Sequence, residues 1–263
     1  MKTMLKIIKY ELRDVIRSKW ILIYFAFLFL ITEGMFQFSG SSSKVLLSMI
    51  NIVLILIPII TISYGIIYMY SSREFTEMLL AQPIKRKTLY TGLYSGLALP
   101  LSFAYLAGVG LPFIFHGVDE TGQFSVLLIL LLSGVALSFV FTSLAVLISL
   151  SSDDKVKGLG IGIFVWLFMA VVYDGALLFG SYILSEYPLE KPMIGMTMLN
   201  PIDLARVLLM LKFDISALMG YTGAVFKKFF GGPFGMLLSS GMLMLWILIP
   251  YLIGKRIFVR KDF

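Results

Sequence analysis

Six long apolar runs constrain this chain more than any other feature of its sequence. They cover residues 20–38, 45–70, 89–115, 124–150, 158–184 and 233–254. Each reaches the roughly 18 to 20 residues that a helix needs to cross a bilayer. Apolar residues make up 59% of the 263 residues and charged residues 14%, against roughly 45–50% and about 25% in soluble domains. The sequence therefore predicts an all-α, polytopic membrane protein with six transmembrane helices, built as a single domain over residues 1–263.

The distribution of lysine and arginine predicts how these spans are oriented. Cations concentrate in residues 1–19, 71–88, 151–157 and 255–261, whereas the two short loops on the other side hold only Lys44. Cytoplasmic loops of membrane proteins carry an excess of Lys and Arg. We therefore predict a multi-pass protein of the cytoplasmic (inner) membrane with both termini in the cytoplasm. The net charge of +7 then reflects cations in cytoplasmic loops, where they meet membrane lipid, and does not indicate binding of nucleic acid.

Residues 1–19 read as an amphipathic helix ahead of the first span. Leu5, Ile8, Leu12 and Val15 recur at steps of three and four, which places them on one face of a helix. A helix with such a face and basic residues elsewhere lies along a membrane surface. We therefore predict an N-terminal interfacial helix. The alternative is a cytoplasmic extension of the first span.

The segment of residues 185–232 is predicted to be a helical extracytoplasmic segment before the last span. Asn200 and Pro201 are an N-cap residue followed by proline at the first helical position. Asp203 and Arg206 are three residues apart, a spacing that lets their side chains form an ion pair on a helix.

The residues that common catalytic mechanisms require are missing from the sequence. The chain has no cysteine and one histidine, which excludes thiol chemistry, zinc–thiolate sites and an HExxH metalloprotease site. It has no GxxxxGK[ST] motif for ATP and no GxSxG motif for a nucleophilic serine. We therefore predict that the chain is not an enzyme and that any energy comes from an ion gradient or another subunit. Glu33 and Asp174 are ionisable residues within spans, and they indicate either a proton or sodium relay or pairing between helices.

The segment of residues 71–88 is the most informative loop. It contains Arg73, Glu74 and Glu77, an apolar stretch of residues 78–81, and Gln82-Pro83 before three cations. This order predicts a short amphipathic helix that ends near the proline. An apolar ridge flanked by charge can insert into a groove on a soluble partner. The alternative is an ordinary basic loop.

A resemblance to a known family supports the first reading of this loop. The sequence REFTEMLLAQPIKRK in the first inner loop, together with six spans and an amphipathic N-terminal helix, resembles the permeases of type-2 ABC exporters. YDGALL at residues 173–178 and LNPIDLAR at residues 199–206 are similar to NosY-type permeases of the nitrous-oxide-reductase maturation system. Many members carry a stretch like RGTLELLLAQP where this chain has REFTEMLLAQP. The resemblance extends over essentially the whole chain.

The resemblance implies partners and roles for particular residues. It implies a homodimer bound to two copies of a cytoplasmic ABC ATPase of the NosF type, which would hold ATP, and an external, copper-handling β-helical protein of the NosD type. The complex would support assembly of the copper–sulfide centre of nitrous oxide reductase. Six residues would form a helix that couples to the ATPase: Glu74, Glu77, Leu79, Leu80, Gln82 and Pro83. Four would shape the segment that meets the external partner: Asn200, Pro201, Asp203 and Arg206.

Three methionines in the outer segment are candidate ligands for copper. Met193, Met196 and Met198 lie close together in the outer segment, and thioether sulfur is a suitable ligand for Cu(I). The alternative is that these flexible side chains repack an apolar surface.

Two other functions fit the same sequence. A generic type-2 permease that exports a lipid, drug or peptide would have the same architecture. A membrane scaffold protein without an ATPase is the second alternative.

Overall fold

Every regular element of the described chain is helical. The computed structural model describes residues 18–39, 41–117, 121–183, 190–212 and 233–261. A single π-helical turn at Phe168–Val172, here called the π-turn, joins α6 to α7. The helices are α1 (Lys19–Ser39), α2 (Ser42–Ser71), α3 (Arg73–Leu80), α4 (Arg86–His116), α5 (Thr121–Ser151), α6 (Lys155–Leu167), α7 (Tyr173–Ile183), α8 (Glu190–Met198), α9 (Pro201–Lys212) and α10 (Pro233–Arg260).

The prediction of an all-α protein with six spans is confirmed. Within the described ranges, six helices are long and apolar enough to cross a membrane, with α6, the π-turn and α7 forming one of them. The helices α8 and α9 are too short alone and meet at an angle of 113°. The predicted interfacial helix of residues 1–19 lies outside the described residues except for its last two, and residues 185–189 and 213–232 of the predicted outer segment also lie outside them.

The last span differs from its prediction because of one aromatic side chain. The predicted span ends at Gly254, where the apolar run ends. In the structure α10 continues to Arg260, because Phe258 is fully buried. Its ring lies 5.5 Å from that of Tyr90 on α4, centroid to centroid. The buried ring stabilises the two additional turns of helix.

The helix α5 forms the centre of the bundle. Its sequence contains no ionisable side chain, and it packs against α2, α4, α9 and α10. The contact with α2 is close because both helices present small residues. A Cβ atom added to Gly65 would lie 2.7 Å from the Cβ of Ala145, nearer than side chains can approach. Such contacts between small residues are the usual way in which membrane helices pack tightly.

The bundle has two ends that differ in charge. Hydrogen bonds between chain segments define both: Tyr70 donates to the Ser152 carbonyl at 2.8 Å at one end, and Gln123 donates to Ser43 at 2.8 Å at the other. We call the first the basic end, and it collects the helix termini Lys19, Ser71, Arg86, Ser151, Lys155 and Arg260. The opposite end collects the termini Ser39, Ser42, His116, Thr121, Ile183 and Pro233.

Candidate functional site

The short helix α3 projects at the basic end between two spans. A single residue, Ser72, separates it from α2. It continues to Leu80, and residues 81–83 turn the chain toward α4. Arg73 and Glu77 are four residues apart and form an ion pair of 3.2 Å across the exposed face of α3. The short amphipathic helix that the sequence predicted before Pro83 is therefore present.

The apolar ridge of α3 is divided between the bundle and the surface. Leu79 and Leu80 are half-buried and pack against the core of the bundle, so they anchor the helix. Met78 points outward and is 55% exposed. The other four predicted coupling residues, Glu74, Glu77, Gln82 and Pro83, are all exposed. The surface that α3 offers is thus one methionine surrounded by two carboxylates, an amide and a proline. Met78 was not among the predicted coupling residues, because the sequence does not show which apolar residue of α3 faces outward.

One carboxylate connects α3 to two other parts of the basic end. Asp153 accepts a hydrogen bond of 3.0 Å from Lys261, and Arg73 lies 3.8 Å away. We call these three side chains the Asp153 clip. The Lys261 ammonium also donates to the Leu150 carbonyl at 3.0 Å, and Arg86 donates to the Lys261 carbonyl at 2.7 Å. The clip therefore joins α3, the link between α5 and α6, and the end of α10.

The charge state of the clip follows from its contacts. The hydrogen bond from Lys261 and the positive charges of Lys261 and Arg73 lower the pKa of Asp153 from its ordinary value. A carboxyl whose pKa is lower in the folded chain contributes stability above its unfolded pKa, and that contribution is lost as pH falls through the lowered value. The clip is consequently intact at neutral pH. Because Asp153 is 79% exposed, solvent and salt screen the interaction.

The helices α8 and α9 form a hairpin whose apex lies within the bundle. We call residues 190–212 the re-entrant hairpin. The helix α9 packs against α2, α5, α10 and the π-turn. At the apex, the indole nitrogen of Trp246 on α10 donates to the Met198 carbonyl at 3.3 Å. Trp246 lies near the middle of α10, so the apex reaches the middle of the bundle.

Asn200 fixes the apex of the hairpin to the π-turn. Its side-chain oxygen accepts a hydrogen bond of 3.0 Å from the Ile202 amide, which caps the first turn of α9 as the sequence predicted. Its side-chain nitrogen donates to the Met169 carbonyl at 2.7 Å and to Asp203 at 3.0 Å. Both N–H donors and the carbonyl oxygen of the buried amide are therefore hydrogen-bonded. Met169 lies within the π-turn, and such interruptions of a helix occur frequently at functional sites.

Arg206 pairs with two carboxylates that come from different helices. It lies 3.0 Å from Asp203, so the predicted ion pair within α9 is present. It also forms a short hydrogen bond with Asp174 on α7, a partner 32 residues away in the sequence. At the opposite end, Glu33 lies 2.9 Å from His116. Both intramembrane carboxylates thus pair with a neighbouring helix, which was the structural alternative to a relay.

The four residues expected to shape a partner contact lie inside the fold. Asn200, Pro201 and Asp203 are buried, and the Arg206 side chain is 25% exposed. In the structure Asn200 holds the re-entrant hairpin to the π-turn, and Arg206 holds it to α7. Their contribution to binding an external protein stays a prediction, and it would have to act through the position of the hairpin.

The three methionines lie on a helix, which limits what they can bind together. Side chains on an α-helix are separated by about 100° per residue, so Met193 and Met196 share a face and Met198 points away from Met196. The Met193 sulfur accepts a weak hydrogen bond of 3.9 Å from Ser181, and Met196 is 47% exposed. The expectation that all three sulfurs converge does not fit this helix within one chain. A pair at Met193 and Met196 stays a prediction.

The sequence matches one family model and is similar to two named permeases. A family model described as "ABC-2 family transporter protein" matches residues 5–263. A protein of Stutzerimonas stutzeri described as "Probable ABC transporter permease protein NosY" is 23% identical over 270 residues, which covers 95% of this chain and 96% of that protein. A protein of Pseudomonas aeruginosa with the same description is 26% identical over 233 residues, which covers 80% and 82%.

These matches confirm the resemblance to NosY-type permeases. The match to the family model extends through all six spans, α3 and the re-entrant hairpin, so it concerns the whole architecture and not one motif. Because the family model covers nearly the whole chain, this protein belongs to the ABC-2 family and is a membrane permease subunit of an ABC transporter.

Proposed function

We propose that a separate ATPase moves α3 and that the bundle transmits this movement to the re-entrant hairpin. A permease subunit of this family is not itself the ATPase, so an ATPase partner is implied. The observation that carries the proposal is the surface of α3, where exposed Met78 stands among exposed charges while Leu79 and Leu80 hold the helix to the core. An apolar side chain in this setting suits a groove on a soluble protein.

A continuous set of contacts supports transmission from α3 to the hairpin. The Asp153 clip ties α3 to the end of α10. The helix α10 then contacts the hairpin apex through Trp246 and Met198. A second connection passes from α6 through the π-turn, where Met169 accepts from Asn200. Packed helices transmit displacement in this way because their interiors are too dense to deform locally.

We propose that the basic end lies in the cytoplasm, which places both termini there and assigns the protein to the inner membrane. Described cations gather at that end, including Arg73, Lys85, Arg86, Lys87 and Lys261, as the bias of cytoplasmic loops requires. The residues 71–88 are then the coupling segment, and the re-entrant hairpin opens toward the outside.

The finer proposal is a role in maturation of the copper–sulfide centre of nitrous oxide reductase. The two relatives named NosY support it through their names and their coverage of the chain. In this form the chain is a homodimer, the ATPase is of the NosF type, and the hairpin moves an external β-helical partner of the NosD type. A generic type-2 exporter would also be a permease subunit driven by a separate ATPase, but it would lack this external partner.

Purification of the tagged full-length chain in mild detergent from its native cells tests this function. We expect a P-loop ATPase to co-purify in about equal amount, together with an external β-helical protein. Absence of any ATPase under conditions that preserve other inner-membrane complexes would refute the proposed function. An ATPase without the β-helical protein would replace the finer proposal with the generic exporter.

Copper binding at Met193 and Met196 is proposed for the same finer function. Thioether pairs bind Cu(I) in preference to harder cations. We expect the double change Met193→Leu and Met196→Leu to weaken Cu(I) binding by the purified chain about tenfold or more, whereas Met198→Leu, on another face of α8, leaves it unchanged. Equal affinity in all three proteins would remove copper from the proposed role of the hairpin.

A further inference from the structure

The cluster of Asp174, Asp203 and Arg206 contains unequal numbers of opposite charges. Arg206 supplies one positive charge and contacts both carboxylates. With both carboxylates ionised, the cluster carries one uncompensated negative charge. A guanidinium cannot lose its proton in a protein, so only the carboxylates can adjust this charge.

Among the side chains that the structure describes, Arg206 is the cation that contacts Asp174 and Asp203. The remaining charged residues of the hairpin, Glu190, Lys191 and Lys212, stand at its two ends, away from the apex. From α7, Tyr173 lies beside Asp174 in the chain and donates to the Met196 carbonyl at 2.6 Å. The helix α5 has no ionisable residue, and the cations of α10 are Lys255, Arg256 and Arg260 at the basic end. From α2, the cation is Lys44 near the opposite end, and its ionisable tyrosines, Tyr64, Tyr68 and Tyr70, lie toward the basic end. Asn200, which donates to Asp203, is neutral.

The location of the cluster makes an unbalanced charge costly. Asp203 is 5% exposed. Asp174 lies nine residues before Ile183, which is about 14 Å along the helix from the opposite end. The span is longer than the hydrocarbon core of about 30 Å, so a bilayer centred on the span places Asp174 inside the hydrocarbon layer. Burying an unpaired charge in such a medium is strongly unfavourable, and carboxyl groups respond by taking up a proton.

We infer that the Asp174–Asp203–Arg206 cluster binds one proton, shared between the two carboxyl groups, whenever the re-entrant hairpin is seated in the bundle. One protonated carboxyl, one carboxylate and one guanidinium give a neutral group in which every charge has a partner. Two carboxyl groups held together commonly share a proton for this reason. The inference concerns the chain alone and does not rest on the proposed ATPase coupling.

Proton binding is coupled to the position of the hairpin. Asp203 belongs to α9 and Asp174 to α7, so displacement of the hairpin separates the two carboxyl groups. Once apart and hydrated, each carboxyl ionises at neutral pH. Movement of the hairpin therefore releases the proton, and loss of the proton favours the displaced hairpin.

The test is the pH dependence of thermal unfolding of the full-length chain in detergent, compared between variants that change the charge count. From pH 5.5 to pH 8.5 the wild-type melting temperature should fall by about 5 °C more than that of Asp203→Asn, because the folded wild type holds a proton that the unfolded chain lacks. Asp174→Asn should behave like Asp203→Asn, since either change leaves one carboxylate for one guanidinium. Asp153→Asn, at the exposed basic end, should retain the wild-type slope over this range. Parallel profiles for wild type, Asp174→Asn and Asp203→Asn would overturn the inference.

Two further measurements keep the test decisive if a variant folds poorly. The double variant Asp174→Asn with Asp203→Asn leaves Arg206 without a carboxylate and should melt below both single variants at every pH. Equal stability of the double and single variants would contradict the shared charge. The infrared carbonyl band of a protonated carboxylic acid should be present in the folded wild-type chain at pH 6, and its absence there would refute the bound proton without any variant.

Discussion

Replacing Met78 with aspartate should abolish most of the stimulation of the partner ATPase while leaving the chain folded. Met78 is the exposed apolar residue of α3. A carboxylate placed in an apolar groove has to be desolvated without a partner, which costs several kcal/mol. The expected result is a decrease of about tenfold or more in coupled ATP hydrolysis by the purified complex in liposomes, with an unchanged melting temperature of the isolated chain.

Two matched variants separate coupling from general damage. Val156 is another exposed apolar residue at the basic end, on α6, and Val156→Asp should leave coupled hydrolysis near the wild-type rate. Leu80→Asp should lower the melting temperature, since Leu80 packs against the core. If Met78→Asp couples normally, α3 does not receive the movement of the ATPase. If Val156→Asp is equally defective, the loss reflects charge at this end and not the surface of α3.

Replacing Asn200 with alanine should destabilise the folded chain by roughly 2–4 kcal/mol. The change removes the N-cap of α9 and leaves the Met169 carbonyl and Asp203 without the donor that they share. Unfolding in detergent by a graded denaturant measures the loss. Gln37→Ala is the control, because that amide makes one exposed hydrogen bond of 3.4 Å and its loss should cost less than about 0.5 kcal/mol. A cost for Asn200→Ala as small as that of the control would mean that the apex is held by apolar packing alone.

The spans were predictable because hydropathy and length act on whole segments. The predicted run of residues 89–115 differs from α4 by three residues at its start and one at its end. The cap at Asn200 and the ion pair of Asp203 with Arg206 were also predictable, since both depend on neighbours within four residues. The clearest difference concerns the last span, which was predicted to end at Gly254, whereas the helix continues to Arg260 with the ring of Phe258 buried.

The contacts that join distant segments could not be read from the sequence. Asp174 was visible as an ionisable residue in a span, but its pairing with Arg206 depends on where the hairpin docks. The π-turn has no distinctive composition, so its role as acceptor for Asn200 appears only in three dimensions. The exposure of Met78 and the burial of Leu80 were ambiguous for the same reason: both are apolar, and the direction of α3 decides which of them faces outward.

The position of α9 has a consequence for how the chain is assembled in the membrane. Its neighbours α2, α5 and the π-turn precede it in the chain, whereas α10 follows it. Synthesis from the N-terminus therefore delivers most of the docking site before the hairpin, and delivers the helix that carries Trp246 after it. Until that last segment inserts, the Met198 carbonyl at the apex lacks the donor that Trp246 supplies in the folded chain. Insertion of α10 then completes the packing around the apex, so the order of synthesis makes this part of the fold form late.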